Sequence, residues 1–247
     1  MKKDISRLLK SWQYLPNDVN VRIIVGQDGA KKLQMRIDLG LLQMELDGRP
    51  DGRRPHRFDS YLSYFENRAR AAALRMDAKP FMLSPIDCLH LQQEAIQYYH
   101  RYIALMRLND YARVARDTSR NLRVFDFVRK YAKDRDIIMA FEQYRPYVVM
   151  MHVRALASLA IDKKDLDQAV SLIEQGIETI KKIYHRYHTK MARDGVEVEL
   201  LQEWLDEVRR RKPLSEREKL QALMNRAIEE EAYETAAKLR DRLRKLE

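Results

Sequence analysis

A single cysteine, Cys88, stands in a chain of 247 residues. That excludes an intramolecular disulfide and any zinc site built on several thiolates. Glycine and proline are scarce, with seven of each. Five of the glycines, at 26, 29, 40, 48 and 52, fall near the N-terminus. Turn chemistry is concentrated there, and long helices are expected after it. No apolar run approaches the roughly 18 residues that span a bilayer, so no membrane partner is expected. The opening MKKDISRLLKSW is basic without an apolar core and does not read as a signal peptide. With the lone cysteine, these absences point to the cytoplasm. A phosphate-binding glycine loop, a dinucleotide glycine pattern, a serine elbow and a His-Glu-x-x-His run are all missing. The expectation is a chain that is not an enzyme, with no catalytic residue, no metal and no cofactor.

What is present is an ordinary globular balance, 45% hydrophobic and 34% charged. Forty-seven Lys and Arg against 37 Asp and Glu give a formal charge of +10, which attracts polyanions and makes nucleic acid a partner to consider.

Along the chain, Ile5, Leu8, Leu9 and Trp12 share one side of a short amphipathic helix over 4–14. A strand follows, with Val21, Ile23 and Val25 alternating, and then the turn Gly26-Gln27-Asp28-Gly29. Leu33, Met35, Ile37 and Leu39 are odd-numbered, whereas Leu42, Met44 and Leu46 after Gly40 are even-numbered. A shift of parity at a glycine predicts a β-bulge in a hairpin or small meander over 20–47. The loop 48–57 is turn-rich and basic. Asp59 or Ser60 caps a helix to about 77, and Ser84-Pro85 starts another. Helical patterns cover 86–107, 110–132, 136–144, 146–161 and 165–188, with Pro146 as an interruption.

Ala155, Leu159, Leu166, Ala169 and Leu172 flank an Asp-containing turn and resemble the inner part of a tetratricopeptide repeat; Ile103 to Val114 resembles it more weakly. Asp110-Tyr111 and Asp165-Leu166 are too far apart for that family's 34-residue period. The expectation is a tetratricopeptide-like body of helical hairpins with a concave peptide-binding surface, or else a generic helical bundle. The fold class is therefore mainly α: a small β-hairpin or meander over 1–58 packed on a helical body over 59–189, a charged linker or helix over 190–213, and a last helical hairpin over 214–247.

That last segment carries the clearest pattern. Arg209-Arg210-Arg211-Lys212-Pro213 marks a boundary, and Ser215 with Glu218 forms a capping box. Leu220, Leu223, Met224, Ala227 and Ile228 make one apolar stripe. Tyr233, Ala236, Ala237, Leu239, Leu243 and Leu246 make a second, with Arg240 as its charged member; Glu229-Glu230-Glu231-Ala232 lies at the turn. The string Tyr233-Glu234-Thr235-Ala236-Ala237-Lys238-Leu239-Arg240-Asp241 resembles the UVR motif, found in the excinuclease subunits UvrB and UvrC and in partners of bacterial stress-response proteases and kinases. One position departs from it: the residue before the aromatic is commonly Asp, and here it is Ala232. The resemblance implies protein–protein contact, hairpin against hairpin. The partner would carry helices or another such hairpin, a second copy of the chain included. The residues for that contact are Leu220, Leu223, Met224, Ala227, Tyr233, Ala236, Ala237, Leu239, Arg240 and Leu243. A link to DNA repair or stress response, and coiled-coil-like helix pairing, come with the same resemblance.

The alternative is a DNA-repair accessory that binds nucleic acid. Arg113, Arg116, Arg120 and Arg123 recur every three or four residues and form a candidate phosphate-binding row. Arg49, Arg53, Arg54 and Arg57 are a second basic group, and Lys181, Lys182, Tyr184, His185, Arg186, Tyr187 and His188 an aromatic-basic one. The plainer readings are, in turn, a solvated helix face, a rigid turn over Gly48 to Gly52 that joins sheet to helix, and an amphipathic helix end. Cys88 near His90 suggests a nucleophile, but Ile86, Leu89 and Leu91 surround it with an apolar pattern.

Overall fold

β1 (Val21–Val25), β2 (Lys31–Ile37) and β3 (Gly40–Glu45) form an antiparallel meander in the order β1-β2-β3. The computed structural model describes residues 4–74, 80–187, 195–211 and 216–244. The loop from β1 to β2 is closed by the Gly26 N–H donating to the Ala30 carbonyl at 2.7 Å. Gly29 there has φ 76°, a conformation glycine adopts without a Cβ clash. Between β2 and β3, Ile37 pairs with Gly40, so Asp38 and Leu39 are a two-residue turn. The expected β-bulge is therefore corrected. Across this turn each odd residue of β2 faces an even residue of β3, such as Leu33 with Met44, and the parity changes without an inserted residue.

Leu33 and Met44 are buried on the apolar face of the sheet, and β2 packs on α3 (Pro85–Arg107). The other face is polar yet covered. Arg22 donates to Gln34 at 2.8 Å, and Gln34 donates to Gln43 at 2.9 Å. The Arg22 guanidinium lies 4.1 Å over the Trp12 ring, and Arg36 donates to the Trp12 carbonyl at 3.2 Å. Only Ser6–Ser11 of the expected first helix is helical (α1). The rest of that segment serves to cover the sheet.

α2 (Tyr61–Ala73) starts where Ser60 accepts from the Ser63 N–H. It stops short of the expected 77, and residues 75–79 lie outside the described residues. α3 begins with a reciprocal cap, Ser84 with Asp87, and Pro85 in its first turn. It pairs with α4 (Tyr111–Tyr131); α5 (Arg135–Glu142) follows; then α6 (Arg145–Asp162) pairs with α7 (Leu166–Tyr187). Pro146 sits in the first turn of α6, where its missing N–H costs nothing. α4 also packs along α6. The inserted α5, together with the length of α4 and α6, spaces the two hairpin turns more widely than a tandem repeat allows. Phe65, Leu91, Val124, Val128, Phe141 and Val148 build one shared core. Gly176 lets α7 approach α6 closely: a Cβ there would stand 2.5 Å from Val153 Cγ2.

α8 (Val196–Arg211) occupies most of the expected charged linker, and α9 (Glu216–Glu229) and α10 (Tyr233–Arg244) complete the chain. The chain divides into two units, Met1–Glu203 and Trp204–Glu247, with the boundary inside α8. Sheet and helical body lie in the first unit. Among the described residues no helix is long and apolar enough to cross a membrane.

Candidate functional site

The α9–α10 hairpin closes on a specific turn. Ala232 N–H donates to the Ala227 carbonyl at 2.8 Å, Glu231 N–H donates to the Ile228 carbonyl at 3.1 Å, and Glu231 has φ 56°. This is a Schellman arrangement with a left-handed residue after the helix. The same turn joins the other two hairpins. Asp110 donates to Leu105 at 3.0 Å and Asn109 to Met106 at 3.1 Å, with Asn109 at φ 59°. Asp165 donates to Ala160 at 2.9 Å and Lys164 to Ile161 at 2.8 Å, with Lys164 at φ 63°. Positions correspond around it. Leu105, Ala160 and Ala227 are buried before the turn, and Val114, Ala169 and Ala236 after it. Small or compact side chains at both places let the helices come together.

The third copy differs in two respects. Asp110 accepts from the Arg113 N–H at 3.2 Å and Asp165 from the Gln168 N–H at 2.9 Å, each capping the next helix. Ala232 has no side-chain acceptor to offer. Beyond the turn, Tyr111 and Leu166 are half-buried, whereas Tyr233 is 67% exposed. The expected Ser215–Glu218 capping box lies outside the described residues, as does Leu246.

Of the residues expected to meet a partner, Ala227 and Ala236 are used inside the hairpin. Leu220, Met224, Ala237, Leu239 and Leu243 are half-buried. Leu223 (51%) and Tyr233 stay in water, as does Ile228 (49%), which the contact set omitted although it lies on the same stripe. Arg240 is exposed and bonds Asp241, its neighbour. Two helices alone cannot enclose their own apolar residues, so a rim of large side chains is left open.

The Arg113–Arg123 row is engaged with acids of its own chain. Arg113 reaches Asp47 at 3.2 Å and Asp110 at 2.8 Å. Arg116 bonds Asp47, Asp117 and the Leu46 carbonyl. Arg120 pairs with Glu94, and Arg123 reaches Glu66 at 2.7 Å. The hydrogen bond from Arg113, opposed by burial and aided by that from Arg116, holds the Asp47 carboxyl below the usual carboxylate range. The row clasps the segment leaving β3 and ties α2 to α4.

Beneath it lies a network that the sequence reading missed. Arg101 is buried and grips Asp117 with two hydrogen bonds, 2.6 and 2.8 Å, while donating to the Glu45 and Gly48 carbonyls. Glu94, also buried, accepts from the Tyr61 N–H at the start of α2 at 2.8 Å. Both charges sit on the apolar stripe Leu91, Tyr98, Tyr102, Leu105, and a charge in such a stripe is the signal that could have revealed them.

In the other basic loop, Arg49 is half-buried and pairs with Asp51 and Glu94, each at 3.3 Å, and Arg54 pairs with Asp59 at 2.8 Å. In the aromatic-basic stretch, Tyr184 is buried and donates to Glu197; His188 lies outside the described residues. Cys88 is buried, and burial pushes its thiol up to about 11, away from nucleophilic use.

Residues 215–247 match the family described as the UvrB/uvrC motif. No curated protein and no solved structure matches the chain. The match covers the α9–α10 hairpin.

Proposed function

We propose that the chain is a non-enzymatic adaptor whose α9–α10 hairpin docks against the helices of another protein. The observation that carries this reading is the apolar rim Leu223, Ile228 and Tyr233, left in water on the segment that matches the UvrB/uvrC motif. Burying a large apolar side chain contributes ~1.5–3 kcal/mol, and these three are 49% to 67% exposed, so covering them favours association. A second hairpin laid antiparallel would complete a four-helix bundle. The partner is a protein carrying such a hairpin or an equivalent helix pair. The motif's presence in UvrB and UvrC directs the search first to DNA-repair proteins. The nucleic-acid alternative draws less support, because each arginine of the 113–123 row already faces an acid.

The test is a titration of full chain carrying Leu223→Asp and Tyr233→Asp against candidate hairpin proteins, beside the unaltered chain. Loss of complex formation with an unchanged far-ultraviolet spectrum is expected. Equal complex formation by both would refute the assignment. Oligonucleotide titrations in low salt are expected to stay flat; saturable binding with a steep salt dependence would restore the alternative.

A further inference from the structure

We infer that the outer edge of β1 is a second interaction surface, occupied by β1 of another copy of this chain. The pairing with β2 determines which backbone groups are available. The Arg36 N–H donates to the Asn20 carbonyl at 2.8 Å and the Gly26 N–H to the Ala30 carbonyl at 2.7 Å, so the even-numbered residues of β1 bond inward. The N–H and C=O groups of Val21, Ile23 and Val25 therefore point to the open side. No hydrogen bond reaches them among the described residues. The other edge is partly closed, since Glu45 of β3 donates to the Pro50 carbonyl at 2.8 Å.

Exposed edges are normally blunted by lysine, proline or a bulge. β1 has none of these, and its one charge, Arg22, lies over Trp12 on the polar face. On the opposite face Ile23 is 46% exposed and Val25 69%.

The order of side chains identifies the occupant. Val-Arg-Ile-Ile-Val reads nearly the same in both directions. An antiparallel two-fold pairing centred on Ile23 sets Ile23 opposite itself and Val21 opposite Val25. These are the residues with free backbone groups, so each pair exchanges both hydrogen bonds. The pairing places Arg22 opposite Ile24, not opposite a second arginine. It also puts Val21, Ile23 and Val25 of both strands on one face, which makes a continuous apolar strip across both sheets. Self-complementarity of this kind is what a two-fold interface requires.

The test is a full-length Ile23→Cys chain under mild oxidation, beside Ile37→Cys as a control on β2. Cys88 is buried and stays unreactive. Hydrogen-bonded antiparallel partners have Cα atoms about 5.5 Å apart, within the range a disulfide spans. A covalent dimer is expected for Ile23→Cys and not for Ile37→Cys. In parallel, light scattering is run on Ile23→Lys/Val25→Lys, with the Leu223→Asp/Tyr233→Asp hairpin variant as background for both arms. That background is expected to remain dimeric until the β1 lysines are added. Absence of cross-linking, equal cross-linking of both cysteines, or a mass unaffected by the lysines overturns the inference. A foreign strand on the edge would give a monomer in these arms and count against it as well. None of these outcomes depends on the hairpin.

Discussion

Ala232→Asn is expected to stabilise α10, and the other two hairpins set the scale. Asp110 and Asp165 each place a carboxylate oxygen on the third N–H of the following helix, at 3.2 and 2.9 Å. The corresponding donor in the third hairpin is the Thr235 N–H, whose backbone contact is the Ala232 carbonyl at 3.0 Å. Supplying a side-chain acceptor in place of Ala is worth ~1 kcal/mol. That corresponds to roughly a fivefold change in the opening equilibrium. Asparagine is preferred to aspartate as the probe. Glu229, Glu230, Glu231 and Glu234 already crowd the turn, and a further negative charge would offset part of the gain. Ala232→Asp should therefore gain less than Ala232→Asn in dilute buffer and draw level at about 1 M salt, where the screening length is about 3 Å. The assay is native-state amide hydrogen exchange over Ala236 to Arg240 in the full chain. Protection unchanged by Ala232→Asn, or raised equally by Ala232→Val, would refute the reasoning. The reciprocal change, Asp165→Ala, should lower protection at the start of α7 by a similar factor.

Gly176→Ala should cost ~1–3 kcal/mol in a thermal or denaturant melt, because the new methyl meets Val153 Cγ2 at 2.5 Å; adding Val153→Ala should make the pair less costly than the sum of the single changes. Asp117→Ala strands the buried Arg101 guanidinium and should cost ~3–5 kcal/mol, whereas Arg101→Met/Asp117→Leu should recover much of that loss in the same melt. His152 lies 2.9 Å from the Thr118 hydroxyl, and burial pushes its imidazole below the usual value of 6.5. The unfolded chain then binds the proton first, so stability should fall as pH drops from 6.5 through the depressed folded value and level off below it. His152→Gln should flatten that part of the curve, leaving the contribution of His100, which burial shifts the same way.

Periodicity carried most of the secondary structure. The apolar spacing of α3, α4 and α7 placed those helices to within a residue or two, because an amphipathic stripe long enough to be unambiguous is a local property. The terminal hairpin was legible for the same reason, helped by a motif written in contiguous residues. The parity change at Gly40 was visible but not its cause, since a two-residue turn and a bulge shift facing alike and only the pairing register separates them.

Other features were settled by the tertiary structure. Arg113, Arg116, Arg120 and Arg123 form a basic row in the sequence; their partners Asp47, Glu94 and Glu66 come from distant segments, and only the fold brings them together. The burial of Arg101 with Asp117, and the recurrence of one left-handed turn on Asn109, Lys164 and Glu231, follow the same logic. Three different residues share one backbone conformation because the hydrogen bonds and helix packing around them impose it, and side-chain identity alone does not. The sequence thus determined which segments become helix and strand and which terminal segment carries the motif. The fold decided which charges are already paired and which apolar groups remain in water, because both depend on neighbours far away along the chain.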